Sequence, residues 1–248
     1  MDVGLTVGDS IDRLVATVEG FDFAEFAIGE GGADPDSVDR ERLEGALGDA
    51  GADLCVHLPY RQVVATGVPE LDTAIVEYQT RLLEWAGRVD AEKAVLHATM
   101  RNPHDVAARS MFADQVRAIA DAGRASDVEV VLENVGHQAR GVPLSVMGDV
   151  ARETDTAVCF DVGHAYMEGG NDAVERFCRQ DGDLVTHLHV HDARSRGDTH
   201  LPLGAGQIEY EPVAETFAQF EGTVAIEVFT DDPILLADSA RRIRELLS

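Results

Sequence analysis

Residues 128–161 read VEVVLENVGHQARGVPLSVMGDVARETDTAVCFD. Two short β-rich segments, Val128–Asn134 and Thr156–Asp161, flank a longer amphipathic segment at 143–154. Short β-rich runs that alternate with longer amphipathic runs are typical of β-α-β units in parallel sheets. The stretch therefore predicts two parallel strands joined by a helix, and an acidic residue lies at or beside the end of each strand.

The same order of segments repeats along the whole chain. The predicted strands are Asp2–Val7, Phe21–Ile28, Ala52–Leu58, Lys93–Ala98, Val128–Asn134, Thr156–Asp161, Leu184–His191 and Thr223–Phe229. The predicted helices cover 10–19, 36–50, 70–89, 105–124, 143–154, 171–180, 210–220 and 232–247. Pro69, Pro103 and Pro212 lie at or near three of the helix starts, where proline is favoured.

Eight strand-then-helix units in 248 residues predict a closed (β/α)₈ barrel, or TIM barrel, as a single domain over residues 1–248. A doubly wound open sheet is the alternative, but it usually has fewer strands and a glycine-rich phosphate loop after the first one. The segment Thr6-Val7-Gly8-Asp9 contains no such loop. We therefore expect an α/β protein with the barrel architecture.

The chain is strongly acidic and poor in lysine. It has 46 Asp and Glu residues against 20 Lys and Arg, a formal net charge of -26, and Lys93 as its single lysine. The acidic residues are spread along the chain, which favours a coat for solvation in a salt-rich cytoplasm, as in a halophilic archaeon, over a site for a basic partner. The sequence contains no basic patch of the kind that binds nucleic acid.

The cellular location of the protein is predicted from the length of its apolar runs, from its N-terminal residues and from its cysteines. No run approaches the roughly 18 apolar residues that a membrane span needs, and Asp2 and Asp9 lie where a signal peptide would be positively charged. Cys55, Cys159 and Cys178 form no CxxC pair, so no disulfide framework is indicated. We expect a soluble cytoplasmic protein that contacts no membrane and whose helix faces leave room for a homodimer.

Six consecutive strands deliver a histidine or an acid to their carboxyl ends. These residues are His57, His97, Glu133, Asp161 with the following His164, His189, and Glu227. Active sites of barrels of this kind lie at the carboxyl ends of the strands. Imidazoles and carboxylates that converge there need a partner, and a divalent cation satisfies all of them. Nitrogen and oxygen donors without thiolate favour zinc, manganese or a similar ion.

The seventh strand and the loop after it add further donors. His187, His189 and His191 share one face of the strand, so they point into the barrel, with His187 deepest and expected to make a core hydrogen bond. In an extended loop, Asp198 and His200 project to the same side, a geometry suited to one ion. The glycines of the Leu-Gly-Ala-Gly stretch that ends at Gly206 would allow the backbone to approach a ligand closely.

These motifs resemble the xylose-isomerase-like superfamily of metal-dependent barrels. The resemblance covers nearly the whole chain, and its most specific parts are Glu133-Asn134, Asp161-Val162-Gly163-His164, His189-Val190-His191-Asp192, Asp198-Thr199-His200 with the Leu-Gly-Ala-Gly that follows, and Glu227. The superfamily contains sugar isomerases and epimerases together with zinc-dependent apurinic-site endonucleases. The resemblance therefore implies a divalent metal, zinc or manganese, with one to three ions.

The sugar-enzyme branch of this resemblance implies an isomerase or epimerase that acts on a sugar or sugar phosphate. Glu133, Asp161, His189 and Glu227 would hold one ion, and Glu133 and Glu227 would flank the substrate carbon as acid and base. The reaction would pass through an enediolate, with a proton removed from carbon and returned to it. Arg194 or Arg196 would bind a phosphate or hydroxyl of the substrate. This is the first of the expected functions.

The endonuclease branch implies hydrolysis of a phosphodiester at a di- or trinuclear zinc site. The chain has a candidate for each of nine ligands, namely His57, His97, Glu133, Asp161, His164, His189, Asp198, His200 and Glu227. Tyr60, three residues after His57, is placed as the tyrosine that these enzymes have near the damaged site. Nucleic acid is a partner only in this alternative, and the charge of -26 is unfavourable for it. Several molar salt would weaken that objection, because the Debye length falls below about 3 Å.

A barrel that binds metal or sugar without catalysis is a third alternative. The presence of both Glu133 and Glu227 argues against it, because either one alone would serve as a ligand.

Overall fold

The structure, a computed structural model, describes residues 1–195 and 197–248. Within them, eight parallel strands pair in chain order, and the first also pairs with the eighth, so the sheet closes. The strands are β1 (Asp2–Gly8), β2 (Phe23–Ala27), β3 (Asp53–His57), β4 (Lys93–His97), β5 (Glu129–Glu133), β6 (Ala157–Asp161), β7 (Val185–Val190) and β8 (Thr223–Ile226). The predicted barrel is confirmed.

Helices follow the strands on the outside of the barrel. They are α1 (Ile11–Thr17), α2 (Arg40–Ala50), α3 (Pro69–Arg88), α4 (Arg109–Ala125), α5 (Leu144–Thr154), α6 (Val162–Gly169), α7 (Asn171–Asp181), α8 (Glu211–Thr216) and α9 (Pro233–Leu246). Short 3₁₀ turns occur at Val106–Ala108 and Gly182–Leu184. No described helix combines the length and apolar character that a membrane crossing requires.

One helix differs from the sequence prediction. Helix α6 begins directly after β6, where the sequence predicted no helix before residue 171. The Asp161 carboxylate caps α6 by accepting the backbone N–H of His164 at 2.5 Å, which satisfies a donor that the first turn leaves free. The ligand-type residue is therefore also the helix cap, and Gly163 near the helix start masked the helical signal.

The direction of the side chains on β7 follows its period of two. Leu188 and Val190 are fully buried against the helices, in the main hydrophobic core. His187, His189 and His191 are also fully buried, and they belong to the opposite face, inside the barrel. The apolar core therefore lies between the strands and the helices, and the polar residues collect inside the barrel at its carboxyl end.

Candidate metal centre

Glu133, the last residue of β5, lies among imidazoles. Its Oε2 is 3.2 Å from His57 Nε2 and 3.0 Å from His97 Nε2, at the ends of the two preceding strands. Its Oε1 is 3.1 Å from His164 Nδ1 on α6. Only 1% of the Glu133 side chain is exposed, so both oxygens depend on these partners. His57, His97 and Glu133 form the first group of donor atoms.

A second donor group shares Glu133 and adds Asp161, His189 and Glu227. His189 Nδ1 is 3.2 Å from Glu227 Oε2, 3.6 Å from Glu133 Oε1 and 3.8 Å from Asp161 Oδ2. These His189, Glu227 and Asp161 atoms are buried, and they have no hydrogen-bond partner among the described residues. Unpartnered buried polar atoms are costly, and their convergence on one point is the arrangement expected of a cation site.

A third collection of donors lies around His164 and includes the loop donors. Asp198 Oδ1 is 2.6 Å from His200 Nε2, so the two loop residues predicted to bind one ion form an ion pair with each other. His164 belongs to one donor group with His137 and Asp198 and to another with His191 and His200. Within each group, the donor atoms lie within 4.8 Å of one another. The nine predicted ligands therefore meet at one end of the barrel in groups that share residues.

The ionisation of the cluster follows from these contacts. Burial lowers the pKa of an imidazole, but the hydrogen bond with Glu133 overcomes burial and raises the pKa of His57 to about 8. Burial is likewise overcome at His164, whose pKa rises to about 10 next to Asp161 and Glu133, and at His200, whose pKa rises to about 9 beside Asp198. Burial raises the pKa of the Glu133 carboxyl, but nearby His97 and His189 hold it well below its usual value. In the absence of metal the cluster is therefore a set of buried ion pairs.

The loop that carries Asp198 and His200 is anchored by Asp192. The Asp192 carboxylate accepts backbone N–H groups from Gly204, Gly206 and Ile208 at 2.8–3.2 Å. A Cβ at Gly206 would lie 2.0 Å from Asp192 Oδ1, so only glycine fits there. The glycine-rich stretch thus brings the backbone close to Asp192, whereas the sequence suggested a close approach to a ligand.

Asn134, which follows Glu133, holds the ends of β5 and β6 together. Its Nδ2 donates to the carbonyl oxygen of Asp161 at 2.9 Å, and its Oδ1 accepts the N–H of Asp161 at 2.8 Å. Its backbone carbonyl lies 3.1 Å from His164 Nδ1. Asn134 therefore fixes two ligand-type residues relative to the strand that carries Glu133.

A cavity of about 330 Å³ opens above the cluster. Its lining includes His57, His97, His164, Asp198, His200 and Glu227, together with Thr6, Gly8, Arg13, Glu25, Ala27, Tyr60, Gln138 and Phe229. The Tyr60 ring stands edge-on to His57, with 6.4 Å between ring centroids, so its predicted place beside the site agrees with the geometry. Arg13 is held at the rim by Asp231 at 3.3 Å and by the carbonyl oxygen of Thr230 at 3.1 Å.

Of the two arginines predicted to bind substrate, the structure describes only Arg194. Arg194 is exposed, does not line the cavity, and donates from Nε to the carbonyl oxygen of Ala205 at 2.7 Å. Arg196 lies outside the described residues. Their contact with substrate stays a prediction.

Two functional candidates at this mouth were not assigned a place in the cluster from the sequence. Glu25, in the middle of β2, is 2% exposed and contacts His187 and His189. An acid within the apolar run Phe23-Ala24-Glu25-Phe26-Ala27 is a signal that could have identified it. The His137 ring lies beside the His164 ring, with 4.3 Å between ring centroids.

The residues present fit a divalent metal. The nine predicted ligands offer imidazole nitrogen and carboxylate oxygen, a combination that zinc accepts in catalytic sites. The buried, unpartnered atoms of Asp161, His189 and Glu227 point to the same place. His189 Nε2 lies 3.0 Å from the carboxylate of Glu25, and metal-bound histidines usually have a carboxylate in this position.

A (β/α)₈ barrel with clustered histidines and carboxylates at the carboxyl ends of its strands belongs to the class of barrels that have a candidate metal site there. The profile of the xylose isomerase-like TIM barrel family matches residues 13–247. The chain therefore belongs to the xylose isomerase-like TIM barrel family, as its motifs indicated.

Individual relatives share the fold at low sequence identity. An uncharacterized protein of Methanocaldococcus jannaschii is 25% identical over 196 residues, which cover 71% of this chain and 64% of that protein. A D-tagatose 3-epimerase-like protein has a TM-score of 0.78 at 21% identity and covers 100% of this chain and 97% of its own. D-psicose 3-epimerase from Clostridium cellulolyticum H10, solved with D-tagatose, has a TM-score of 0.73 at 17% identity, with 100% and 98% covered.

Proposed function

We propose that this chain is a divalent-metal-dependent enzyme that holds more than one ion and hydrolyses a phosphoester, with a phosphodiester beside a missing base as the first substrate to test. The observation that carries the proposal is that all nine potential ligands fall into groups of donor atoms that share either Glu133 or His164. Enzymes that cleave phosphoesters commonly use two or more adjacent ions to stabilise both the attacking and the leaving oxygen.

A single ion would use only part of the donor cluster. The group of Glu133, Asp161, His189 and Glu227 already supplies four donors, which complete the coordination of one zinc ion. His57 and His97 would then only pair with Glu133, at 3.2 and 3.0 Å, with no metal to bind. Nδ1 of the buried His97 has no hydrogen-bond partner among the described residues, and such an atom is costly, so this histidine favours a further ion at the same mouth.

The surroundings of Glu133 favour a role as a metal ligand over a role in proton transfer. A general base needs one oxygen within reach of the substrate proton. Both oxygens of Glu133 are engaged by histidines, and the residue does not line the cavity. Glu227 does line it, so the two glutamates are not equivalent. This asymmetry weakens a mechanism that requires both glutamates as acid and base.

The roles of the chain's own residues follow from their positions. When bound, divalent ions supply Lewis acidity that polarises a phosphoryl oxygen and acidifies water. Glu133, Asp161, Asp198 and Glu227 would hold the ions, and the positive charge of the ions would offset the repulsion between these carboxylates and an anionic substrate. Tyr60 lies on the cavity wall, where its hydroxyl can donate to a substrate oxygen, and Arg13 presents a fixed positive charge at the rim.

The test combines metal counting with two assays. Protein purified without chelator is analysed for bound metal, then assayed for nicking of an abasic duplex at high salt and for turnover of ketoses and ketose phosphates. Two or more ions per chain together with strand cleavage would support the proposal. One ion per chain with turnover of a ketose, or no bound metal at all, would overturn it.

A matched pair of variants separates the two chemistries. Asp198→Asn removes a carboxylate of the loop donors and leaves the four donors around His189 intact, so we expect hydrolysis to be lost. Asp172→Asn changes an exposed acid of α7 and should leave hydrolysis unchanged. If Asp198→Asn retained full hydrolytic activity, the loop donors would have no part in the reaction.

The second candidate is an isomerase or epimerase of a sugar or sugar phosphate that acts through an enediolate. Glu227 favours it, because this carboxylate lines the cavity and its buried Oε2 has no hydrogen-bond partner within the described residues. Glu227 would remove a proton from the substrate carbon, with Glu133 on the opposite side. Fold relatives described as sugar 3-epimerases add support. The ketose arm of the same experiment decides this alternative.

The cytoplasmic location, the halophilic source and the homodimer stay predictions.

A further inference from the structure

Glu25 is a buried acid outside the set of nine ligands. It lies in the middle of β2, and only 2% of its surface is exposed. Its neighbours on the strand, Phe23, Ala24 and Phe26, are buried and apolar. An ionised carboxylate in such a place is stable only with specific partners. Glu25 also belongs to the floor of the cavity.

The partners of Glu25 are two histidines of β7. Its Oε2 is 3.0 Å from His189 Nε2 and 3.2 Å from His187 Nε2. On its other side, His187 Nδ1 is 2.6 Å from the hydroxyl oxygen of Thr223. If the Thr223 hydroxyl donates to His187 Nδ1, the His187 Nε2–H donates to Glu25, and every group in the chain of contacts is satisfied.

This arrangement determines which nitrogen of His189 is free. Because Glu25 is acceptor-only when ionised, His189 must present an N–H at Nε2. In a neutral imidazole the lone pair then lies at Nδ1, which faces Glu227, Glu133 and Asp161 at 3.2–3.8 Å. That Nδ1 has no hydrogen-bond partner in the part of the chain that the structure describes. The atom aimed at the acidic cluster is thus the one that a metal ion would use.

We propose that Glu25 is a positioning residue that fixes the orientation and the tautomer of His189, so that His189 binds metal through Nδ1. Carboxylates that hold the second nitrogen of a metal-bound histidine usually raise metal affinity about 10–100-fold. The inference rests on the proposed metal centre. It adds a supporting residue from β2, a strand that contributes none of the nine ligands.

The first experiment reads the tautomer of His189 directly and requires no metal. Long-range ¹H–¹⁵N NMR spectra of the metal-free protein, recorded at increasing pH until the His189 ring is neutral, distinguish an imidazole protonated at Nε2 from one protonated at Nδ1. We expect a slowly exchanging Nε2 proton on His189 in the unmodified protein and its loss in Glu25→Leu. An unchanged His189 signal in folded Glu25→Leu would overturn the proposal.

The second experiment measures zinc affinity by competition with a chelator. We expect Glu25→Leu to weaken the tightest zinc site about 100-fold and Glu25→Gln, which keeps an acceptor oxygen, about 10-fold. Thr223→Val is the matched control, because it removes the partner of His187 without touching His189, and should change affinity less than about twofold. Equal affinities in the unmodified protein and the two Glu25 variants would contradict the proposal.

Failure of the proposed function can be distinguished from failure of the role proposed for Glu25. If the unmodified protein binds no zinc, the proposed function fails, while the NMR experiment still decides the role of Glu25. If Glu25→Leu does not fold, Glu25→Gln and Glu25→Asp, which retain a polar group, replace it in both measurements. Normal zinc binding and a normal His189 signal in both of these variants would overturn the proposal.

Discussion

Acidic side chains occupy two contrasting environments in this molecule, the helical shell and the barrel mouth. On the shell, Arg241 of α9 pairs with Asp238 at 2.6 Å and with Glu245 at 2.7 Å, and all three side chains are at least 40% exposed. At the mouth, Glu133 is 1% exposed and Asp161 is fully buried, and their partners are histidines. Exposed pairs contribute little to stability, whereas a buried charge without its partner is costly. The shell acids therefore add little to stability, whereas the mouth acids require their buried partners.

Binding of metal at the mouth should have the largest effect on the free energy of unfolding. If the mouth holds zinc, saturation at about 1,000 times the Kd raises the free energy of unfolding by about 4 kcal/mol for one site. Denaturant titrations in chelator and in zinc would measure this. Magnesium at the same ionic strength is the control, because it prefers oxygen ligands in octahedral geometry. Identical free energies of unfolding in zinc and in chelator would contradict the expectation that the mouth, unlike the shell, binds zinc.

Glu133→Gln should have the next largest effect. The substitution removes the charge shared by His57, His97 and His164, so metal-free protein at pH 6 should lose about 3 kcal/mol of unfolding free energy. Bound metal should fall by at least one ion per chain, measured by elemental analysis. Glu245→Gln in the shell is the matched control, and its denaturation midpoint should not change. Equal behaviour of the two variants would contradict the buried ion-pair description.

Gly163→Ala should have a moderate effect on stability and on the site. A Cβ at Gly163 would lie 2.1 Å from the His191 ring, and His191 Nε2 lies 3.4 Å from Asp161 Oδ1. We expect a loss of about 1–3 kcal/mol and weaker metal binding. Gly45 is the control, because it lies on exposed α2 with open space around its Cβ position. Gly45→Ala should instead stabilise the protein by about 0.5–1 kcal/mol.

The pH dependence should be opposite in the metal-free and metal-bound states. In metal-free protein the raised pKa of His57, about 8, means that the folded state keeps a proton that the unfolded chain releases near pH 6.5. This contribution to stability is present below pH 6.5 and is lost as the pH rises through about 8. Zinc must displace such protons, so its affinity should rise about tenfold per pH unit for each proton released. Calorimetry at pH 6, 7 and 8 would measure both trends, and an affinity independent of pH would contradict the histidine ligands.

The ligand-type residues that could be predicted from the sequence are those at strand ends. His57, His97 and Glu133 each end an apolar run, and parallel strands of a barrel bring such ends together. Glu25 was missed because it lies in the middle of a strand rather than at its end, and an acid inside an apolar run was the signal that could have identified it. Helix α6 was missed because Gly163, required by the contact with His191, weakens the helical pattern.

The sequence by itself determined the barrel, its strand order and the kinds of donor atoms at its mouth, because these depend on local periodicity and residue type. Only the tertiary structure decided which donors share a group, because the distances between Glu133, His164 and His189 depend on closure of the sheet across residues far apart in the chain. It also decided that Glu133 is enclosed while Glu227 faces the cavity. Burial and partner identity depend on packing from every side, and no single segment of the chain encodes them.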